Sequence, residues 1–452
     1  MVTATIKNFV SRLLPARKRG PQLFHAGQHG IDKRNVSRHA IKVCEVLNQH
    51  GFKAYIVGGA VRDLIVGLVP KDFDVATNAT PEQIRPLFRR ARIIGRRFKL
   101  VHGVFGQEII ETSTFRAPAD ADADTDEHGR IIRDNLYGTH EQDAARRDFT
   151  LNALYYDPLK EEVIDFHHGV NDLKKRKVSM IGEPTLRYRE DPVRMLRAVR
   201  FCSKLDGQIA PATLSPIREL SSLLANVPSA RLFDEVLKLL TCGRAMQCLQ
   251  QAKELGLLHH LLPQVETLMA DPEGAAFIDR ALNRTDARIH AGKSTSPSYL
   301  FASLLWLIVK QRWQTYVSAG EPHQQALMQA IDDVLEDRKQ PLAIQRRFQA
   351  DMREIWLMQP RFERATPRSI WRMIEQPRFR AAVDFLQLRA EAREVDSVQA
   401  QCWMDLANAD YDGRAELIES YKQQASSREG SSSSRNRRRR RRPRTRTAPT
   451  QS

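Results

Sequence analysis

The sequence predicts an α+β protein: an N-terminal head with a small mixed sheet and helices, then an all-α neck and body, then a disordered basic tail. Three observations predict this class. Short apolar, strand-like runs alternate with helical patterns from residue 33 to about residue 158. The pattern is then helical nearly throughout from about 185 to 425. The last residues form a low-complexity, arginine-rich segment.

The composition indicates a globular protein with an anionic partner. Hydrophobic residues make up 42% and charged residues 28% of the 452 residues, which leaves ample chain for a core. The formal net charge is +17, and nine arginines lie between residues 435 and 446. Such a balance favours nucleic acid or an anionic membrane surface as partner. Five scattered cysteines without a CxxC pair argue against a disulfide framework or a zinc site.

Five segments follow from these patterns. We expect a loosely ordered leader at 1–32, a head at 33–158, a helical neck at 159–225, a helical body at 226–424 and an arginine-rich tail at 425–452. The leader lacks the apolar region of a signal peptide, although it could lie on RNA or contact a membrane surface weakly. The longest apolar run, "YLFASLLWLIV", is too short to span a bilayer and predicts a buried helix.

The head elements can be assigned in order. "KAYIVGG" and "DFDVAT" predict strands, and "GAVRDLIVG" between them predicts a helix. "TPEQIRPLFRRA" predicts a second helix, because Thr80 can cap its start and Pro81 occupies its first position. "FGQEIIETSTFR" predicts a further strand, and the alternation of the two kinds of element predicts a small sheet covered by helices.

Two carboxylates one residue apart are the first candidate site. In a strand, Asp72 and Asp74 point to the same face, while Phe73 and Val75 point to the other. Two such carboxylates repel unless a cation lies between them, and hard oxygen ligands suit Mg²⁺, which also binds substrate phosphates. The alternative for an isolated pair is two surface acids on an edge strand.

A glycine pair precedes these acids. Gly58 and Gly59 stand between the predicted strand and helix, where a backbone without side chains can approach a phosphate closely. Arg62 lies in the first turn of that helix and could reach an anion; a salt bridge with Asp63 is its alternative role. The GG-x-x-RD pattern followed by D-x-D is much more specific than either motif alone.

Two further segments complete a resemblance. "RRDFTLNALYYDP" (Arg146–Pro158) and "RYREDPVRMLRAVRF" (Arg187–Phe201) follow in order. Together with the GG and D-x-D motifs, they resemble the polymerase-β-like nucleotidyltransferase superfamily, in the branch that holds bacterial poly(A) polymerases and CCA-adding tRNA nucleotidyltransferases. The resemblance covers roughly residues 35 to 400. It implies that the head is a nucleotidyltransferase domain, that the body at 226–424 binds RNA and that the protein is a cytoplasmic bacterial enzyme.

The resemblance also implies a reaction and site residues. An RNA 3′-hydroxyl would attack the α-phosphorus of a nucleoside triphosphate and release pyrophosphate, with Asp72 and Asp74 holding two metal ions. Asp148 in "RRDFT" is the first choice for a third catalytic acid, and Glu111 is a less certain alternative metal ligand. Arg147, together with the glycine pair and Arg62, would bind the nucleotide.

The segment "EDPVRMLR" predicts base recognition. Asp191 can cap a helix that begins at Pro192, which puts Arg194 and Arg197 on the face that also carries Glu190 or Asp191. A carboxylate beside a guanidinium offers an acceptor beside a donor, which suits adenine and cytosine and rejects guanine and uracil. In the resembled family this motif is a protein template for the base. The alternative role is a structural intrahelical ion pair.

The interpretation that follows is a template-independent polynucleotide adenylyltransferase that uses ATP and Mg²⁺ on RNA 3′ ends. "IIGRRFKLVH" resembles the poly(A) polymerase side of the family, and the basic tail would bind RNA phosphates. A CCA-adding tRNA nucleotidyltransferase is the alternative enzyme. From another class, a catalytically silent RNA-binding adaptor would keep the fold, although the acids and the GG turn that it could lose are all present.

Overall fold

The computed structural model describes residues 20–95, 99–117, 136–337 and 341–420. The chain forms two compact units. The first runs to Leu239 and includes Gln247–His260, and the second comprises Leu240–Met246 and the chain from Leu261 onward. Residues 1–19 of the predicted leader and the whole predicted tail at 425–452 lie outside the described residues.

The first unit contains all the strands of the described residues. They are β1 Gln22–His25, β2 Ala54–Val57, β3 Asp74–Thr77, β4 Ala91–Ile94, β5 Leu100–Phe105, β6 Glu108–Thr114, β7 Leu154–Asp157, β8 Glu162–Asp165, β9 Lys177–Val178 and β10 Gln208–Ile209. Strands β1 to β8 form one mixed sheet in the order β1-β8-β7-β2-β3-β6-β5-β4, and β9 pairs with β10. Within the large sheet, β3 and β6 are parallel, and the other neighbours are antiparallel.

Twelve helices accompany these strands along the described chain as far as residue 254. They are α1 Ala26–His29, α2 Arg38–Gln49, α3 Gly59–Ile65, α4 Pro81–Ile84, α5 His140–Arg146, α6 Gly169–Lys174, α7 Pro184–Glu190, α8 Val193–Leu205, α9 Pro211–Leu214, α10 Ile217–Leu220, α11 Ser229–Leu240 and α12 Ala245–Glu254. Short 3₁₀ helices lie at Lys33–Asn35, Arg85–Leu87, Thr150–Asn152, Ser221–Asn226 and Leu258–His260.

The second unit is helical in its described part. Its further helices are α13 Pro263–Leu268, α14 Pro272–His290, α15 Pro297–Ser318, α16 His323–Leu335, α17 Arg346–Glu363, α18 Pro367–Ile374, α19 Phe379–Glu391 and α20 Ser397–Asn408, followed by a helical stretch at 411–420. The apolar run at 299–309 lies inside α15, and most of its side chains are buried. No helix in the described ranges is long and apolar enough to cross a membrane. The predicted α+β class, with helices after the sheet, is confirmed.

Helix α4 shows how local sequence sets an element. The Thr80 hydroxyl oxygen accepts a hydrogen bond from the Gln83 N–H, and Oε1 of Gln83 accepts one from the Thr80 N–H. The two bonds form a capping box. Pro81 occupies the first turn as predicted. The helix is shorter than predicted, because Pro86 cannot continue the α-helical hydrogen bonding and the chain changes to a 3₁₀ turn at Arg85–Leu87. Ala91, predicted as helical, begins β4.

The sheet extends past both predicted boundaries of the head. Strand β1 lies in the predicted leader and pairs with β8, so that Gln22 is opposite Asp165. Strand β8 itself lies in the predicted helical neck, as do β9 and β10. Strands of the large sheet therefore lie on both sides of the predicted boundaries at residues 32 and 158. The four residues of β1 are mostly exposed, so they lack the alternating apolar pattern by which an edge strand can be recognised.

Candidate active site

A row of paired residues crosses the centre of the sheet and contains two acids. Tyr155 of β7 lies opposite Val57 of β2, and Val57 lies opposite Asp74, the first residue of β3. On the other side, Asp74 is in register with Glu111 of β6, and Glu111 with His102 of β5. Because Gly58 follows Val57 directly, the register brings the GG turn beside the carboxylate of Asp74.

The GG turn requires glycine for two reasons. Gly58 has a φ of 71°, in the left-handed region that side chains disfavour. A Cβ at this position would lie 3.1 Å from Nη1 of Arg147. The N–H of Gly58 donates to the carbonyl of Leu154 on β7 at 3.1 Å, which fixes the turn against the sheet. Gly59 then begins α3.

The carboxylate pair is accessible and electrostatically strained. Asp72 and Asp74 are exposed, while Phe73 and Val75 are buried, although β3 begins only at Asp74. Desolvation in the cleft and the charge of Glu111 raise the pKa of Asp74 to about 6. Arg147 opposes this rise in pKa, and Asp72 adds to it. The ionised form of Asp74 is thus disfavoured by its carboxylate neighbours.

These donors fit a divalent cation. Carboxylate oxygens are hard ligands, and a cation would offset the negative charges of Glu111 and Asp72, which add to the effect of desolvation on the pKa of Asp74. Within the described ranges no group of three or more His, Cys, Asp or Glu side chains is close enough to hold an ion by itself. The Glu111 carboxylate contacts Nε2 of His102 at 3.1 Å instead. Phosphate and water oxygens would therefore have to supply part of the ligand set.

Asp148 lies in a saturated hydrogen-bond network. Its carboxylate accepts from Arg197, at 2.7 Å from Nε and 2.6 Å from Nη2, and from the Asn152 amide at 3.0 Å. It also accepts from the N–H of Phe149 at 2.8 Å. Burial by itself raises the pKa of Asp148, but Arg197 and Asn152 lower it below its ordinary value. The carboxylate oxygens of Asp148 are therefore engaged by Arg197, Asn152 and the N–H of Phe149.

The two arginines beside the GG turn are differently held. Arg62 is 5% exposed. It forms a salt bridge with Asp63 at 2.8 Å and donates a hydrogen bond to Oδ1 of Asn152 at 2.7 Å. The salt bridge foreseen as its alternative role is therefore formed. Arg147 donates to the Tyr155 hydroxyl at 3.0 Å and to Asp143 at 3.3 Å.

The environment of Arg147 keeps it charged. Burial lowers the pKa of Arg147, but Tyr155 and Asp143 raise it above its ordinary value. The Tyr155 hydroxyl also donates to Asp143 at 2.6 Å, so the three side chains form a closed network. Arg147 is thus a fixed cation beside the GG turn and Asp74.

A cleft of about 440 Å³ in the first unit joins these groups to the recognition segment. Six arginines and three aspartates are among the residues that line it. Its lining consists of Gly58, Gly59, Arg62, Asp74, Arg147, Asp148, Asn152, Asp191, Arg194, Arg197, Arg200, Phe201 and Arg231. Asp72 and Glu111 lie outside this lining. The excess of cationic side chains suits a polyanionic ligand such as a triphosphate.

Asp191 does not cap the helix as predicted. Helix α8 begins at Val193 with Pro192 at its N-cap, and Asp191 ends α7. The carboxylate of Asp191 forms an ion pair instead, in which Nη2 of Arg231 lies 2.7 Å from its Oδ2. Its other oxygen, Oδ1, is buried and has no hydrogen-bond partner among the described residues.

The recognition arginines have separate partners. Arg194 donates to Glu190 at 2.9 Å and to the carbonyl of Arg187 at 2.7 Å. The ion pair foreseen as the alternative role is thus formed, but it joins the end of α7 to the start of α8 instead of lying within one helix. Arg197 binds Asp148 instead of Glu190 or Asp191.

Sequence comparison identifies the family. The family profile described as "Poly A polymerase head domain" matches residues 54–179, and "Polymerase A arginine-rich C-terminus" matches residues 319–446. A third, "Probable RNA and SrmB- binding site of polymerase A", matches 208–269. The chain is 43% identical over 390 residues to the Poly(A) polymerase I of Salmonella typhi, which covers 84% of each chain. The chain belongs to the bacterial poly(A) polymerase I family. It is therefore an RNA nucleotidyltransferase.

The poly(A) polymerase I family has relatives with a different product. A CCA-adding enzyme of Bacillus pumilus is 34% identical over 231 residues, which are 50% of this chain and 56% of that protein. The crystal structure of the Bacillus stearothermophilus CCA-adding enzyme in complex with CTP has a TM-score of 0.51 to this chain, at 24% identity, and the match covers 86% of this chain and 98% of that one. That likeness shows the shared fold.

Four cleft residues of this poly(A) polymerase I family member were missed from the sequence. Asn152, Arg200 and Phe201 lie within the recognised motifs, and Phe201 packs under Arg62 at 4.8 Å from the ring centroid. The helical spacing of Arg197, Arg200 and Phe201 could have indicated the last two. Arg231 had no such indication, because it lies 40 residues beyond Asp191.

Proposed function

We propose that the chain is a template-independent polynucleotide adenylyltransferase, which adds AMP from ATP to RNA 3′ ends and releases pyrophosphate. The observation that carries this proposal is the arginine-rich cleft. It joins the GG turn and Asp74 to Asp191 and Arg194, and thus has room for a nucleotide's phosphates at one end and its base at the other. The preference for ATP is supported by the higher identity and longer match to the poly(A) polymerase than to the CCA-adding enzyme.

The metal ligands in this proposal are Asp72, Asp74 and Glu111. Glu111 ranks ahead of Asp148 as the third acid, because it is in register with Asp74, whereas the oxygens of Asp148 are engaged by Arg197 and Asn152. The family generally uses divalent metal ions, and the hard carboxylate donors favour Mg²⁺. When bound, such an ion supplies Lewis-acid activation of the hydroxyl and charge stabilisation of the pyrophosphate.

The triphosphate would bind at the start of α3. Gly58 lets the backbone approach, and the N–H of Gly59 lies in the first turn of α3, whose amides lack helical acceptors. Arg147, held by Tyr155 and Asp143, offers a fixed positive charge beside this turn. These groups orient the α-phosphorus near the carboxylates and offset the negative charge that develops during transfer.

The base would be selected by Asp191 and Arg194. The free Oδ1 of Asp191 is an acceptor for the exocyclic amino group of adenine, and Arg194 is a donor for the neighbouring ring nitrogen. Guanine and uracil present the reverse pattern and would leave both protein groups unpaired. Cytosine shares the adenine pattern, so discrimination against CTP must come from the size and shape of the cleft.

Incorporation of each labelled nucleoside triphosphate tests the proposal. The full chain is incubated with Mg²⁺ and either an oligo(A) primer or a tRNA that lacks its CCA end. We expect long products with ATP alone on oligo(A). One or two additions, with CTP accepted on the tRNA, would replace the proposal with CCA addition. RNA binding without pyrophosphate release on either primer would favour the adaptor.

The arginine-rich segment at 435–446 is proposed to tether RNA. Nine arginines in twelve residues offer attraction to phosphates that does not depend on sequence. This attraction would keep the growing 3′ end near the cleft between additions.

A further inference from the structure

Helix α11 presents two opposite charges to the recognition segment. Arg231 and Glu235 are four residues apart, and thus lie on one face of the helix. Nη2 of Arg231 lies 2.7 Å from Oδ2 of Asp191. Oε1 of Glu235 lies 4.0 Å from Nη1 of Arg197. Arg231 and Glu235 are therefore each matched to a residue of opposite charge in "EDPVRMLR".

The two oxygens of Asp191 are in different states. Oδ2 is held by Arg231, whereas Oδ1 is buried without a hydrogen-bond partner among the described residues. A buried carboxylate oxygen without a donor is unfavourable, and a ligand that brings an N–H group would relieve that cost. The side chain of Asp191 is 19% exposed and lines the cleft, where such a ligand would bind.

Arg231 determines which way the Asp191 carboxylate faces. The χ2 torsion of aspartate is broad, so the carboxylate can turn unless a partner fixes it. The bond from Arg231 to Oδ2 removes this freedom and leaves Oδ1 as the oxygen available to a base. Without Arg231 the carboxylate could turn toward the guanidinium of Arg194, which also lines the cleft.

Glu235 acts on the other end of the segment. It is 6% exposed, binds Lys238 at 2.9 Å, and its Oε2 has no hydrogen-bond partner in the described part of the chain. Its charge lies near Arg197, whose guanidinium is bound by Asp148. Burial lowers the pKa of Arg197, but Asp148 and Glu235 raise it on balance, so this arginine stays charged.

We infer that Arg231, supported by Glu235, is a positioning residue for nucleotide selection. Arg231 fixes Asp191 so that Oδ1 receives the exocyclic amino group of adenine, and Glu235 helps to hold Arg197 against α11. This inference rests on the proposed function. It adds that α11, which lies outside the recognised motif, sets the selectivity of the motif.

A comparison of two nucleotides across variants tests the inference. Purine riboside 5′-triphosphate lacks the 6-amino group of ATP and is otherwise the same size. We measure kcat/KM for both nucleotides on oligo(A) with wild type, Arg231→Ala and Arg231→Lys. Arg189→Ala is the matched control, because Arg189 is exposed on the neighbouring α7 and carries the same charge. Wild type should prefer ATP by roughly 10-fold, the value of one hydrogen bond to a charged acceptor.

The variants should differ in preference rather than only in rate. Arg231→Ala should reduce the preference for ATP to about 2-fold or less, and Arg231→Lys should restore part of it, because lysine can still donate to Oδ2. Arg189→Ala should keep the wild-type preference. If Arg231→Ala lowers kcat/KM for both nucleotides by the same factor, its role is structural and the inference is overturned.

Failure of the proposed function would look different. If wild type incorporates no AMP on either primer, the proposed function falls, and this inference falls with it. If wild type extends the primer with ATP and Arg231→Ala keeps the full preference, only the role of Arg231 is overturned. If Arg231→Ala does not fold, Arg231→Lys decides: a preference between those of wild type and 2-fold supports the inference, and an unchanged preference refutes it.

Discussion

The charge of Asp74 is influenced by two other carboxylates and one fixed arginine. Desolvation in the cleft and then the charges of Glu111 and Asp72 raise the pKa of Asp74, and Arg147 opposes this rise only in part. A structural role for Asp74 would leave this repulsion without a benefit, since the side chain is exposed and could be replaced by a neutral one. The proposed metal site would give the placement of these acids a function.

Removal of either acid should abolish transfer. For Asp72→Ala and Asp74→Ala we expect kcat to fall by at least about 1,000-fold, because charge stabilisation at the reacting phosphate is lost. RNA affinity should stay within about 2-fold of wild type, since phosphate binding by arginines is independent of this site. Asp412→Ala, an exposed acid of the second unit, is the control. Turnover near the wild-type rate in either variant would refute the metal assignment.

The raised pKa of Asp74 predicts a pH effect on stability without metal. The pKa is about 6 when folded and 3.8 when unfolded, so the folded state binds the proton more tightly. This contribution to stability is complete below about pH 4 and is lost as pH rises through about 6. Above pH 6 in EDTA, Asp74→Asn should therefore have a higher melting temperature than wild type. Its free energy of unfolding should be higher by about 1 kcal/mol or less, because the group is solvent-accessible.

A divalent cation should reverse the order of the melting temperatures of wild type and Asp74→Asn. Added Mg²⁺ should raise the melting temperature of wild type more than that of Asp74→Asn, because binding to the folded state stabilises it. The same measurement on Asp412→Asn should follow wild type at every pH. A melting curve of Asp74→Asn that matches wild type in EDTA from pH 4 to pH 8 would contradict the repulsion described here.

The roles of Glu111 and Asp148 can be distinguished, because substitutions at the two positions should impair different properties. Glu111→Gln should raise the Mg²⁺ concentration needed for half-maximal activity by about 10-fold or more, with little effect on folding. Asp148→Asn should leave that concentration unchanged but destabilise the protein by about 3 kcal/mol, because the charge of Arg197 loses its buried partner. The reverse pattern, measured by Mg²⁺ titration and denaturant unfolding, would restore Asp148 as the third metal ligand.

At the scale of elements, the site is built where β2 ends and α3 begins. The strand brings Gly58 beside Asp74 through its register, and the turn brings the start of α3 to the cleft. Helix α3 has only seven residues, and Arg62 on it is tied to Asn152 of the 3₁₀ turn at Thr150–Asn152. The position of α3 is therefore fixed by contacts from the "RRDFTLNAL" segment.

A pair of glycine substitutions tests this element. Gly58 and Gly67 both have positive φ values, 71° and 77°, but a Cβ at Gly58 would meet Arg147 at 3.1 Å, whereas a Cβ at Gly67 would meet nothing within 4 Å. Both alanine variants should lose about 1 kcal/mol of stability through backbone strain. Only Gly58→Ala should also raise the KM for ATP, by roughly 10-fold or more. Equal KM values for the two variants would argue against a phosphate role for the turn.

At the scale of the whole molecule, charge is distributed unevenly along the chain. The formal net charge is +17, and the nine arginines between 435 and 446 supply about half of it. The cleft is also rich in arginine, but most of these side chains have acidic partners. RNA attraction at a distance is thus expected mainly from the C-terminal segment.

Deletion of the chain after Ser427 tests this expectation. The truncated chain should bind oligo(A) more weakly, and the plot of log Kd against log salt concentration should be flatter. Each phosphate contact that is lost should reduce the slope by about 0.7. Single additions at saturating RNA should proceed as in the full chain, because the cleft is unchanged. An unchanged salt slope would refute the tether.

Much of the local structure was predictable because its causes are local. Strand β2, the GG turn, α3 and the start of β3 follow from apolar runs and glycines within about twenty residues. The cap of α4 follows from Thr80, Pro81 and Gln83 alone. The succession of sheet and helices followed from periodicity, which needs no knowledge of distant partners.

Long-range pairing is where the prediction failed. Strand β1 is short and polar, and only its hydrogen bonds to β8, some 140 residues away, make it part of the sheet. Asp191 was predicted to cap α8, but it binds Arg231, 40 residues further along the chain. In each case a distant partner competes successfully with the local role.

The sequence by itself determined the family, the order of the elements and the set of residues whose side chains could bind ligands or take part in catalysis. These depend on motifs and on short-range propensity. Only the tertiary structure decided which charges meet. The register of β3 and β6 places Glu111 beside Asp74, and helix α11 leaves one oxygen of Asp191 free. Such pairings depend on long-range packing, since a side chain can bond to any partner that the fold brings within about 3 Å.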